Sequence, residues 1–496
     1  DSSVIGFVTN DANGLRLLTA ADTALGYFSP ATYLGTVTPS VIAAAASTVA
    51  NAATTANVNL TGAVGLYGAT TSNSLNLSSG GQLTAYGNAA VASQYGAGGS
   101  FNTLTLTSGA ILATSSGSGA TAALGVPVVS FGATGTSEAI IHVASGQTLT
   151  VTSGFSTTGG LSKNLAGVLN FDAPQFVSGT TYVNGGTLRL KSGQVNTLLY
   201  NNGIAVNYGG TLDLNGGAQF AGALSSIGSA ANADTQGGSI VNSAGTRATL
   251  VLNANGSFGG VISGDVYLAK VGTNGQAFLY PQTYTGPTVS AGGSMTFADE
   301  GTLLSSSAMT IVGSQLNIQN TSTRDLGNRI ADTMPISMRD GIVYFTGRQQ
   351  ANSTETIGAI TLNGGYNALL AGAGGAASGS PGLSSATLTI ASLTRADTTS
   401  TVRFTGGGQP GGSGQYGQGR ILITTAPTLT NNIIGPWAIL DREFASYDAT
   451  YGVGALNGAG FPGYAGGTLT SNPGENDNVR FTQAGTTVLN SDTTIW

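Results

Sequence analysis

The chain has 496 residues, more than one ordinary core uses, so burial is divided among several domains or spread along a repeat architecture. Charged residues make up only 7% and glycine fills 78 positions, yet 41% of the chain is hydrophobic and arranged in short regular runs, which excludes a disordered chain. A net charge of −6 with 15 scattered Lys and Arg offers no basic stripe for nucleic acid, and the absence of cysteine excludes disulfides and thiolate metal sites.

In chain order, the first feature is Gly6-Phe7-Val8-Thr9-Asn10-Asp11-Ala12-Asn13-Gly14-Leu15, which returns near the other end. Next comes an Ala-rich insertion near 40–56, including Val41-Ile42-Ala43-Ala44-Ala45-Ala46, expected to be a short helix or loop. No run approaches the roughly 18 to 20 apolar residues that cross a bilayer, so no membrane span is expected.

From Gly80 onward one pattern dominates: a glycine turn, then four to six alternating residues. Examples are Gly80-Gly81-Gln82-Leu83-Thr84, Gly146-Gln147-Thr148-Leu149-Thr150-Val151, Gly185-Gly186-Thr187-Leu188-Arg189-Leu190, Gly209-Gly210-Thr211-Leu212-Asp213-Leu214 and Gly292-Gly293-Ser294-Met295-Thr296-Phe297. Apolar residues two apart point to one face of a strand, and the glycines mark corners. The spacing from Gly186 to Gly210 is 24 and from Gly293 to Gly313 is 20, the length of one solenoid coil with variable loops.

His142, the single histidine, lies in the alternating run Ile140-Ile141-His142-Val143 and is read as a strand residue. Asp325-Leu326-Gly327-Asn328-Arg329-Ile330-Ala331 suggests one or two helical turns, and the segments 372–382 and 406–419, dense in Gly, Ser, Pro and Gln, suggest exposed loops. The tight charged groups are Asp299-Glu300, Arg339-Asp340, Asp441-Arg442-Glu443 and Glu475-Asn476-Asp477. Each is flanked by turn residues and is read as a solvated corner rather than the carboxylate pair of a glycosidase. The Gly-rich runs lack the Lys-Ser or Lys-Thr of a phosphate loop, and Gly-Gly is followed by Thr-Leu, Gln-Leu or Ser-Met rather than by the Gly and Asp of calcium repeats. No catalytic, cofactor-binding or metal-binding residue is assigned, and no cofactor is expected.

The fold expected from this grammar is all-β: a right-handed parallel β-helix, or β-solenoid, with room for a sandwich-like segment. Several hundred residues without a composition shift stack more readily than they divide into separate sandwiches. Glu443-Phe444-Ala445-Ser446-Tyr447-Asp448-Ala449-Thr450-Tyr451-Gly452-Val453 repeats the opening passage with one extra residue, and Asp477-Asn478-Val479-Arg480-Phe481-Thr482 answers Ala56-Asn57-Val58-Asn59-Leu60-Thr61. Residues 1–436 are therefore read as one solenoid module and 437–496 as the start of a second copy.

Two passages carry a family resemblance. Gly160-Leu161-Ser162-Lys163-Asn164-Leu165 leads into Ser178-Gly179-Thr180-Thr181-Tyr182-Val183-Asn184-Gly185-Gly186-Thr187-Leu188, and Leu268-Ala269-Lys270-Val271-Gly272 leads into Thr283-Tyr284-Thr285-Gly286-Pro287-Thr288-Val289-Ser290-Ala291-Gly292-Gly293. Both resemble the autotransporter-associated β-strand repeat, also called the passenger-associated transport repeat: a Leu-x-Lys strand, a Tyr-Thr-Gly corner and a Gly-Gly-Thr-Leu strand. The resemblance implies a secreted β-helical stalk or passenger of Gram-negative bacteria with no catalytic residues. The function expected is a structural protein of the extracellular surface that forms a fibre, stalk or coat by head-to-tail self-association of modules; the alternative is an adhesin whose exposed loops bind surface glycans or neighbouring cells.

Overall fold

The computed structural model describes residues 7–11, 14–17, 57–66, 69–78, 80–85, 103–114, 121–226, 237–321, 324–374, 384–406, 418–464 and 477–480. Among these residues the chain is all-β without a helix. They form two compact units, one reaching to Tyr267 and the other beginning at Leu268.

The first unit is a parallel β-solenoid. One of its rows is a nine-stranded sheet: Ala63–Leu66, Gln82–Ala85, Thr121–Gly125, Thr148–Val151, Val168–Phe171, Gly186–Arg189, Gly210–Asp213, Ser239–Val241 and Val261–Ser263. Register partners in this row are as close in sequence as Val168 and Thr187 and as far apart as Gln82 and Ala123. The strands return to register despite the difference in the length of chain between them. A second row runs through Asn57–Leu60, Thr70–Ser78, Thr103–Thr114, Ala139–Val143, Leu161–Asn164, Thr181–Val183, Asn202–Val206 and Ala218–Ser225. Residues 103–106 belong to a third row, followed by Val128–Phe131, Gly154–Thr157 and Phe176–Val177. The strand Thr103–Thr114 passes from the third row to the second at Gly109, whose φ of 75° and approach to the Glu138 carbonyl leave no space for a Cβ.

Alternation explains the burial. Leu149, Leu169, Leu188, Leu212, Ile240 and Ile262 are successive register partners, and all are fully buried. Phe131, Phe155 and Phe171 form a second file, edge to face at centroid separations of 4.9 and 5.5 Å. Outside, the Asn184 amide donates to Asn164 Oδ1 at 3.0 Å and the Asn207 amide to Asn184 Oδ1 at 2.6 Å, forming a polar ladder from coil to coil. Removing one methylene from the middle of the aliphatic file leaves a gap that its fixed neighbours cannot close. Ile240→Val is therefore expected to lower stability by about 1 kcal/mol, measurable by chemical denaturation.

The second unit is built the same way. Gly275–Phe278, Ser294–Phe297, Gln315–Gln319, Ile342–Thr346, Tyr366–Gly372, Thr401–Gly406 and Ala438–Leu440 pair in parallel, placing Phe278, Phe297, Ile318 and Phe345 in one buried file. Another row joins residues 268–271 to Thr288–Ala291, Met309–Val312, Ile336–Arg339, Ile360–Leu362 and Leu393–Arg395. A third contains Asn352–Ile357, Ser385–Ile390 and Gln418–Ile423. At Leu440 the parallel ladder gives way to an antiparallel meander: a turn with Asp441 at φ 54° sends Glu443–Asp448 back along Ala438–Leu440, and Gly452–Ala455 pairs antiparallel in turn.

One local expectation is corrected. Asp325 to Ala331 contains no helical turn: the segment is irregular, and Ile330 makes a parallel bridge to Leu303. The cause is competition for its backbone, because the Asn320 and Glu355 side chains accept the amides of Leu326, Arg329 and Ile330. The Ala-rich insertion near 40–56 lies outside the described residues, as does most of the 372–382 and 406–419 segments. Gly372, Gly406 and Gly419 belong to strands.

Candidate functional site

The charged groups singled out in the sequence stay at separate corners. Glu300 pairs with Arg324, while Asp299 is buried at φ 52° with an Oδ1 that has no hydrogen-bond partner among the described residues. Asp340, at φ 51°, accepts the Tyr366 amide at 2.9 Å. Asp441 and Arg442 form the exposed turn before the meander, and Glu443 accepts from Arg480 Nη1 at 2.9 Å and from the Tyr464 hydroxyl at 2.7 Å. Of Glu475-Asn476-Asp477, only Asp477 is among the described residues. His142 is half-buried on Ala139–Val143. Among the described residues no group of three or more His, Asp or Glu side chains is placed to hold a metal ion.

The chemistry concentrated inside the solenoid is different. Lys163 has the same strand parity as Leu161, so it points inward, and its side chain is 0% exposed. Its ammonium donates to the carbonyls of Asn164 at 3.1 Å, Leu165 at 2.8 Å and, from the next coil, Gly185 at 2.8 Å. Lys270 does the same with Val271, Gly272 and Gly292 at 3.0, 3.0 and 3.2 Å. Three N–H donors meet three carbonyls that turn away from the ladder at a corner, and one bond crosses between coils. Burial lowers the Lys163 pKa to about 8 and lowers that of Lys270 from its usual value.

The two corners belong to one longer repeat, since Lys163 and Lys270, Phe171 and Phe278, Gln175 and Gln282, and Thr181 and Thr288 share a single sequence offset. Gln175 and Gln282 are both buried; Gln175 Nε2 donates to the Ala173 carbonyl and Gln282 Nε2 to that of Tyr280, each at 2.6 Å. In the Tyr-Thr-Gly corner, the buried Tyr284 hydroxyl lies 2.6 Å from Thr288 Oγ1, and burial raises its pKa. The glutamines carry no pattern of their own in the sequence; only alignment of the two passages would have exposed them.

A third corner holds a buried ionic cluster. Arg329, 0% exposed, donates from Nε to Asn320 Oδ1 at 2.5 Å, from Nη1 to the Gly301 carbonyl at 2.8 Å and from Nη2 to the Arg324 carbonyl at 3.2 Å. Glu355, also 0% exposed, reaches from a neighbouring strand to accept the Arg329 and Ile330 amides at 2.9 and 2.8 Å. Burial pushes Glu355 up to about 8 against the opposing effect of those amides and of Arg329. Elsewhere Asp213 behaves oppositely: burial disfavours its charge, but Ser243, the Arg189 guanidinium at 2.8 Å and backbone amides hold its pKa below the usual value.

These side chains bind backbone and neighbouring coils, and what they accomplish is to fix corners. Comparison with protein-family models, with characterised proteins and with solved structures finds no match.

Proposed function

We propose that this chain is a secreted structural protein of the bacterial cell surface, a subunit of a fibre, stalk or coat whose solenoid modules stack end to end, and that it is not an enzyme. The observation that supports this most is the parallel, in-register pairing of coil upon coil within each unit. The pairing extends to Asn57–Leu60 and Ala63–Leu66, which pair in parallel with Ser74–Leu77 and Gln82–Ala85. Coils that pair strand upon strand in parallel present the same backbone geometry to a further coil, which suits stacking of modules. The engagement of Lys163, Lys270, Arg329 and Glu355 with backbone groups agrees with a structural role, as does the resemblance to passenger-associated repeats.

Electron microscopy of the purified protein over a concentration series tests the reading. Filaments or sheets are expected to lengthen with concentration; short rods of uniform length at every concentration would reject assembly, and turnover of a uronic-acid polymer would reject the non-enzymatic role.

A further inference from the structure

We propose that the hairpin formed by Phe7–Asp11 and Gly14–Leu17 is the assembly element of this chain, seating on the last parallel coil of a second copy in the place that the Glu443–Ala455 segment occupies on its own. This deepens the end-to-end reading and rests on it.

The two segments are equivalent in sequence and in the backbone pairing beside the turn. Phe7, Thr9, Asp11, Ala12, Gly14 and Leu15 correspond to Phe444, Ser446, Asp448, Ala449, Gly452 and Val453, with one extra residue in the later loop. Both fold as antiparallel hairpins with the same register beside the turn, and the earlier one shifts register at a bulge between Phe7 and Thr9. Asp11 faces Gly14 and Asn10 faces Leu15, just as Asp448 faces Gly452 and Tyr447 faces Val453.

The later hairpin shows what such a segment does. Phe444 and Glu443 pair antiparallel with Ile439 and Leu440 on the last strand of the parallel row. The Ile434 amide donates to the Ala445 carbonyl at 2.8 Å, and the Tyr447 hydroxyl donates to the Ile423 carbonyl at 2.7 Å. Gly452 lies so close to the Ile421 carbonyl that a Cβ there would sit 2.2 Å from its oxygen. Ala445, Ser446, Val453 and Leu456 are buried. The hairpin thereby covers an edge that would otherwise be open to another chain. Among the described residues, the earlier hairpin pairs only within itself. A segment with the same turn register, preceding Asn57–Leu60 in the chain, can enter the same seat on another copy by exchange, as in domain swapping.

The chain has no cysteine, so single cysteines report the contact directly. Full-length Phe7→Cys and full-length Ile439→Cys are prepared separately and mixed under mild oxidation, because the proposed seating makes these positions antiparallel partners within disulfide reach. A covalent dimer is expected in the mixture and in neither protein alone. Its yield should rise several-fold when the Ile439→Cys chain also carries Tyr447→Phe or Gly452→Val, which loosen the resident hairpin, and fall to background when the Phe7→Cys chain carries Gly14→Val. A mixture no different from its components, or a dimer that survives Gly14→Val, overturns the assignment. If filaments still form without the cross-link, stacking stands and the hairpin's role falls; if neither filaments nor cross-link appear, both fall.

Discussion

Replacing Arg329 by methionine is expected to destabilise the unit beginning at Leu268 by about 4 kcal/mol, seen as a lower denaturant midpoint at unchanged slope. The loss follows from what the guanidinium holds: Asn320 Oδ1, two backbone carbonyls, and the field that offsets the buried Glu355 carboxylate. Methionine fills the volume but donates nothing, so the remaining polar groups stay buried without their partner. Glu355 adds a pH signature. Its folded pKa is raised to about 8 from 4.5, so between those values the folded chain binds the extra proton. Stability from this group is complete below about pH 4.5 and is lost as pH rises through about 8. Denaturation midpoints should therefore fall across that window in the parent chain and fall less in Glu355→Gln. A parent midpoint that rose relative to the variant would contradict the assignment.

Lys163→Met should lower stability in the first unit by about 3 kcal/mol, because three corner carbonyls lose a charged donor and one bond between coils disappears. Lys270→Met should act in the same direction in the second unit. The pH dependence is opposite to that of Glu355. With a folded pKa near 8 and an unfolded value of 10.5, the unfolded chain holds the extra proton between them, so stability rises with pH over that interval. Comparing thermal unfolding of the parent and Lys163→Met at pH 7.5 and pH 10 reads this directly: the gap between them should widen at the higher pH.

The ladder was legible in the sequence because it depends on the simplest periodicity. Alternation placed Leu149, Leu188 and Leu212 inside, and the glycine corners gave coil register closely enough that Gly186 and Gly210, equated by spacing, are true partners. The buried charges were not legible by the same means. Alternation puts Lys163 on the inner face, yet composition assigns lysine to water, and only three carbonyls from two different coils reconcile the two. Arg329 was hidden for a different reason: its short, polar, Leu-containing segment suggests a helical turn, whereas Asn320 and Glu355, close in space but not in sequence, take the amides that such a turn would use. The antiparallel hairpin at Phe444 was visible as a repeated string, and its role as the end of a parallel row required the pairing of Ile439 with Phe444.

The uneven coil lengths have a mechanical consequence. Within one unit the inter-strand bonds run along the direction in which coils are laid down, so force pulling the outermost coils apart loads one ladder at a time and peels rather than shears. Each rupture releases the chain between successive register partners, from the short interval between Val168 and Thr187 to the long one between Gln82 and Ala123. At about 3.4 Å per extended residue those intervals yield roughly 65 to 140 Å of slack. Stretching of a single molecule should thus trace a sawtooth with teeth of unequal width, dissipating work in steps while the coils not yet reached keep their packing.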